Sequence, residues 1–119
     1  MSILKNLPES LHGPLKSFIQ ELEGHINFFA NIPLNQHSSE EEKELVRRKI
    51  EGRFHLIRGA SGFFKLDSLR VLATKGEEDF RKAKGDEAKF DELFSSFLVE
   101  AIAEIKNTFA QLKTEVSSE

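Results

Sequence analysis

The chain has 119 residues, enough for one domain around one core. Charged residues make up 31% and hydrophobic residues 39%, which excludes a disordered or membrane-embedded composition. Seventeen basic against twenty acidic residues leave a net charge of −3, so there is no general case for nucleic-acid binding.

No apolar run approaches the roughly 18 residues of a membrane span. The segment Met1-Ser2-Ile3-Leu4-Lys5 lacks the apolar block of a signal peptide. There is no cysteine, so disulfides and cysteine-based metal sites are excluded. A cytoplasmic location without membrane insertion is expected.

The first helix is predicted between about Ser10 and Ile32, with Leu15, Phe18, Ile19, Leu22, Ile26 and Phe29 at helical spacing. Pro8 or Pro14 can occupy its first turn, which leaves room for a short extra N-terminal turn. Asn31 to Ser38 has turn chemistry. Ser39 and Glu42 form a capping-box pattern that starts the second helix, which runs towards Gly62. On its wheel Val46, Ile50, Phe54, Ile57 and Phe64 form an apolar sector, widened on one flank by Leu45, Leu56 and Phe63.

Asp67 is a plausible N-cap for the third helix, whose inner face is Leu69, Leu72, Ala73, Gly76, Phe80 and Ala83. Gly85 ends it, and Asp86 caps a fourth helix from about Glu87 to Val116. The stripe of that helix runs Phe90, Leu93, Phe94, Phe97, Leu98, Ala101, Ile102, Ile105, Phe109, Leu112. Ser117-Ser118-Glu119 is expected to be a frayed end or the start of a linker. Four amphipathic helices with short joins predict an all-α, antiparallel four-helix bundle of up-down-up-down topology, one domain over residues 1–119. The eleven phenylalanines suit its core better than a ligand pocket.

The second helix carries the chemistry. His55 falls on the side away from the apolar sector, roughly 140° from its centre at about 100° per residue. Gly59 and Gly62 lie on the same outward face. A glycine within a helix costs about 1 kcal/mol against alanine, so two of them beside one histidine need a reason. They leave the imidazole clear and let another protein's backbone approach. Arg58, about 60° around the wheel, can reach an anion carried on the ring. A neutral imidazole is a nucleophile near neutral pH, provided one nitrogen is free and the other is held as a donor. Glu77, at the edge of the third helix's buried stripe, is the best acid to hold it, against the plainer reading of a surface glutamate in Glu77-Glu78-Asp79.

The run His55-Leu56-Ile57-Arg58-Gly59-Ala60-Ser61-Gly62 resembles the phosphorylation motif of histidine phosphotransfer (Hpt) domains, His-x-x-Lys/Arg-Gly-x-x-Gly, at all four fixed positions. His55 to Leu69, with Leu72 and Glu77, is most similar to the N-terminal phosphotransfer domain of CheA-type chemotaxis kinases. The resemblance covers about Leu11 to Leu112. It implies that His55 takes a phosphoryl group from a histidine kinase catalytic domain or a receiver aspartate and yields it to a response-regulator receiver. Glu77 would orient the imidazole, Arg58 would stabilise the phosphate, and Gly59 and Gly62 would give the receiver clearance. The carrier itself would need no cofactor and no metal; Mg²⁺ would belong to the receiver or to kinase-bound ATP.

The sequence has no Gly-rich phosphate loop, so it reads as a carrier without an ATP site, either free-standing or as a domain of a CheA-type kinase. Phe54 stands where the family usually has a small residue, Lys65 where glycine is common, and Thr74 where a second histidine is frequent. The other reading is a helical interaction module, or a degenerate Hpt domain that binds receivers without transfer. His12, His25 and His37 lack metal-ligand spacing, and His25 is expected at an edge or on the surface. Arg47, Arg48, Lys49, Arg53, Arg58 and Lys65 surround His55 in sequence, either as a solvated face or as a positive field for an acidic partner.

Overall fold

A computed structural model describes residues 6–117. The predictions for residues 1–5, and for Ser118 and Glu119, lie outside the described residues. Among the described residues the regular structure is entirely helical. A single 3₁₀ turn, Glu9–Leu11, leads into α1 (His12–Ala30), followed by α2 (Glu40–Phe63), α3 (Asp67–Lys82), α4 (Glu87–Ser95) and α5 (Phe97–Ser117).

The ends of α2 follow from local chemistry. The Ser39 hydroxyl accepts from the Glu42 amide at 3.1 Å, and the Glu42 carboxylate accepts from the Ser39 amide at 3.0 Å. The Ser39 amide first, and the Ser39 hydroxyl after it, hold the Glu42 carboxyl below its usual range. At the other end the Leu66 amide donates to the Ser61 carbonyl at 2.8 Å and the Lys65 amide to the Gly62 carbonyl at 3.2 Å. This is a Schellman closure, and it puts Lys65 at φ 58°, in the left-handed region. Lysine therefore sits in a conformation that glycine would adopt without steric cost.

α3 starts one residue earlier than predicted: Leu66 is the N-cap and Asp67 is already in the first turn. Its C-terminus is closed from outside. Buried Arg47 donates through Nη1 to the Phe80 carbonyl at 3.1 Å, supplying a partner to one of the last-turn carbonyls that the helix cannot satisfy itself. Glu44 and Glu51 pair with the same guanidinium at 2.7 and 2.8 Å. Asp86 caps α4 through the Lys89 amide at 3.0 Å, as the sequence predicts.

The predicted fourth helix is two helices. Ser96 leaves helical geometry at φ −118°, ψ −67°, and both Ser95 and Ser96 turn their hydroxyls back onto the Glu92 carbonyl, at 3.2 and 2.7 Å. Paired serines that bond backward bend a helix without breaking its apolar stripe. Phe90, Leu93, Phe97, Leu98, Ala101, Ile105 and Leu112 stay buried across the bend.

One ring layer joins all the helical arms. Phe54 of α2 lies 5.5 Å from Phe29 of α1, 6.0 Å from Phe80 of α3 and 5.9 Å from Phe97 of α5, centroid to centroid. Phe54 and Phe80 are fully buried. Removing such a ring costs about 3–5 kcal/mol. α2 and α3 pack most closely, in antiparallel register, with Glu51 opposite Arg81, His55 opposite Glu77 and Gly62 opposite Arg70.

Two sequence expectations fail on burial. Leu45, Leu56 and Phe63 do not widen the core; all three are exposed on the outer face of α2. His25 is not at the surface but buried in α1, where Arg53 of α2 reaches its Nδ1 at 3.3 Å. The same guanidinium stacks 4.4 Å over the Phe28 ring. Burial first, then the Arg53 charge, lowers the His25 pKa from 6.5 to about 4.

Candidate functional site

His55 stands on the outer face of α2 because its neighbours in sequence are committed elsewhere. Phe54 points into the ring layer and Ile57 into the core, both with no exposure. That fixes the rotation of α2 and leaves the His55 side chain 64% exposed.

Across the groove, α3 is pressed against α2 at Gly76. A Cβ on Gly76 would lie 2.8 Å from the Phe54 ring, so only glycine allows this spacing. The next residue, Glu77, therefore enters the interface with its side chain only 4% exposed, and its carboxylate is shared by three donors. Oε2 accepts from His55 Nδ1 at 2.9 Å and from Arg81 Nη2 at 2.7 Å; Oε1 accepts from Arg58 Nη1 at 2.9 Å. A buried charge needs this degree of compensation.

The tautomer follows from the partner. An ionised carboxylate only accepts, so His55 carries its proton on Nδ1. Nε2 then presents its lone pair outward and makes no hydrogen bond among the described residues. An imidazole held in this way is a prepared nucleophile.

The sequence-predicted residues thus fall into three groups. His55, Arg58 and Glu77 come together around one carboxylate. Arg58 is 43% exposed and spends its guanidinium on Glu77. Gly59 lies one turn from His55, and a Cβ there would meet nothing within 4 Å. Gly62 differs: its Cβ would come 3.3 Å from Cδ of Arg70, so α3 already borders it.

Two residues of this constellation escape motif reading. Arg81 is one; its spacing of four from Glu77 on a helix was the available signal. Gly76 is the other, visible in sequence only as a glycine on an inner face. The Thr74 hydroxyl donates to the Arg70 carbonyl at 2.8 Å and takes no part.

Among the described residues no group of three or more histidine, cysteine or acidic side chains is arranged to hold a metal ion, and no helix is long and apolar enough to cross a membrane. A cavity of about 520 Å³ lies elsewhere, between the start of α2 and the α3–α4 connection, and includes Lys43, Arg47, Lys84 and Phe90. No protein-family model, no curated protein and no solved structure matches the chain.

Proposed function

We propose that the chain is a histidine phosphotransfer domain of the Hpt class, folded as an up-down-up-down bundle and acting in two-component signalling. One observation carries this reading: a solvent-facing imidazole is held through Nδ1 by a buried carboxylate, so that Nε2 is free for attack.

His55 Nε2 attacks phosphorus of the donor, ATP in a kinase catalytic domain or the acyl phosphate of a receiver aspartate. The N–P bond forms as the bond from phosphorus to the donor oxygen breaks. The ring becomes cationic, its Nδ1 proton stays in place, and Glu77 Oε2 faces the new positive charge. In the second transfer a receiver carboxylate oxygen attacks phosphorus, the N–P bond breaks and its electron pair returns to Nε2. Arg58 and Arg81 supply two cations beside a group that gains phosphate charge.

The same face of α2 suits a docked partner. Gly59 leaves open space, and exposed Leu56 and Phe63 give an apolar border. Arg48 and Lys49, one to two turns before His55, add positive charge for an acidic receiver.

The test is incubation with phosphorylated receivers and with kinase catalytic domains, followed by mapping of acid-labile phosphate. Phosphate on His55, lost in His55→Gln with the fold retained, is the expected result. Receiver binding by the wild type without any phosphate uptake would instead make this a non-transferring interaction module.

A further inference from the structure

We infer that Arg81, braced by Glu51, is a positioning residue that holds the Glu77 carboxylate in the orientation His55 requires. This rests on the phosphotransfer reading for its consequence, but not for its geometry.

Glu77 has one oxygen fixed from α2, by Arg58 on Oε1 at 2.9 Å. A carboxylate held at a single oxygen can still rotate and change which lone pair it offers. Arg81 removes that freedom. It reaches back one turn along α3 and donates to Oε2 at 2.7 Å, the oxygen that also accepts from His55. One carboxylate oxygen has lone pairs for both donors.

Arg81 is itself held. Its Nε donates to Glu51 Oε2 at 3.2 Å, and the other Glu51 oxygen accepts from Arg47 at 2.8 Å. The hydrogen bond and charge of Glu51 raise the Arg81 pKa, so the cation persists under all working conditions. Arg47 is buried and tied to the end of α3, so the chain Arg47–Glu51–Arg81–Glu77–His55 begins at a rigid point. Each link crosses or lines the α2–α3 seam. The Arg81 side chain is 57% exposed, which makes a large part in overall stability an unsuitable explanation for so ordered a set of contacts.

The test uses the full chain with ¹⁵N-labelled histidine. In the wild type His55 should show the Nδ1-protonated tautomer, with a slowly exchanging Nδ1–H. In Arg81→Ala that signal should broaden and exchange faster. Phosphoryl acceptance should fall by about tenfold, the lower end of what loss of an outer hydrogen-bond partner costs. Arg81→Lys should restore part of both effects, and Glu51→Gln should give the same changes in weaker form. Arg81→Gln replaces the alanine variant if thermal melts show alanine to be unfolded. A folded Arg81→Ala or Arg81→Gln protein with wild-type Nδ1–H exchange and wild-type acceptance overturns the inference. If the wild type accepts no phosphate but the Nδ1–H signal still depends on Arg81, the positioning role stands and the phosphotransfer reading falls.

Discussion

Gly76 and Phe54 meet with no space between them: a Cβ on Gly76 would stand 2.8 Å from the ring carbons of Phe54. Phe54 cannot retreat, because Phe29, Phe80 and Phe97 surround it. The residues next to this contact in sequence are His55 and Glu77, so the closest point of the α2–α3 packing also sets the 2.9 Å hydrogen bond of the site. Gly76→Ala should therefore destabilise the protein by about 1–3 kcal/mol, the usual cost of overpacking. It should also weaken the His55–Glu77 contact. Urea denaturation and the His55 Nδ1–H signal read the two effects. An unchanged midpoint with an unchanged signal would mean that the helices part freely at this point.

Lys65 offers the opposite change. It holds φ 58° in the Schellman closure of α2, where an L side chain carries a steric cost of about 1–2 kcal/mol that glycine does not. Glycine loses more chain entropy on folding, which takes back part of that gain. Lys65→Gly should stabilise the protein by a net of about 0.5–1 kcal/mol. The measurement is the denaturation midpoint at constant m-value. A lower midpoint would show that the lysine side chain contributes more than its backbone costs.

The two motif glycines should separate. Gly59→Leu meets open space and improves helix propensity by about 0.8 kcal/mol, so it should fold at least as well as wild type. It should nevertheless block phosphotransfer, because leucine covers the face one turn from His55. Gly62→Leu presses on Arg70, whose Cδ lies 3.3 Å from the added Cβ, and should perturb the end of α2 before it affects docking. Circular dichroism beside transfer to a receiver distinguishes them. Full transfer by folded Gly59→Leu would remove the clearance role from Gly59.

Much of the helical layout was legible because apolar spacing, the Ser39–Glu42 box and the Asp86 cap are local signals. The bend at Ser96 was not, since the phenylalanine stripe continues through it and only the backward bonds of Ser95 and Ser96 mark it. Leu45, Leu56 and Phe63 were misplaced because a wheel shows which residues share a face but not how many neighbours that face has. His25 was misplaced because its burial depends on Arg53, 28 residues away, stacking on Phe28. At the site, His55 and Arg58 were marked by one-turn spacing within α2. Glu77 needed the α2–α3 register to reach them, and Arg81 needed Glu77 to be buried before its position acquired meaning.

His25 predicts an acid response. Arg53 only donates, so His25 Nδ1 accepts and the folded ring is neutral. Its pKa is lowered from 6.5 to about 4, so the unfolded chain binds a proton there at a higher pH than the folded chain does. The stability it contributes is present above pH 6.5 and is lost as the pH falls towards 4. Between pH 7 and 5 this amounts to about 2 kcal/mol. The depressed carboxyls of Glu42, Glu44 and Glu87 act lower, because their stabilisation is lost only as the pH falls below the ordinary 4.5. Denaturation curves at pH 7, 6 and 5 for wild type and His25→Gln isolate the histidine. The variant should lose less stability over that interval; equal losses would place the acid sensitivity elsewhere.

Glu77 and Arg58 should fail differently, although they share a hydrogen bond. Glu77→Gln keeps the shape but removes the negative charge that touches His55, and a flipped amide can donate to the ring instead of accepting from it. The Nδ1 tautomer then loses its advantage, and the cation formed during transfer loses its counter-charge. Phosphoryl acceptance should fall by about 10- to 100-fold, the range for such a partner, while receiver affinity stays near wild type. Arg58→Ala leaves Glu77 held by Arg81 and His55, so the tautomer should survive. What it removes is a half-exposed cation beside the phosphate, whose effect salt screens. Transfer should slow less than in Glu77→Gln, and its rate should depend less on ionic strength than in the wild type. Single-turnover transfer and receiver affinity, measured for both variants across salt concentration, give the comparison. A wild-type rate for Glu77→Gln would reduce Glu77 to a structural buried acid, and a wild-type salt slope for Arg58→Ala would confine Arg58 to holding Glu77.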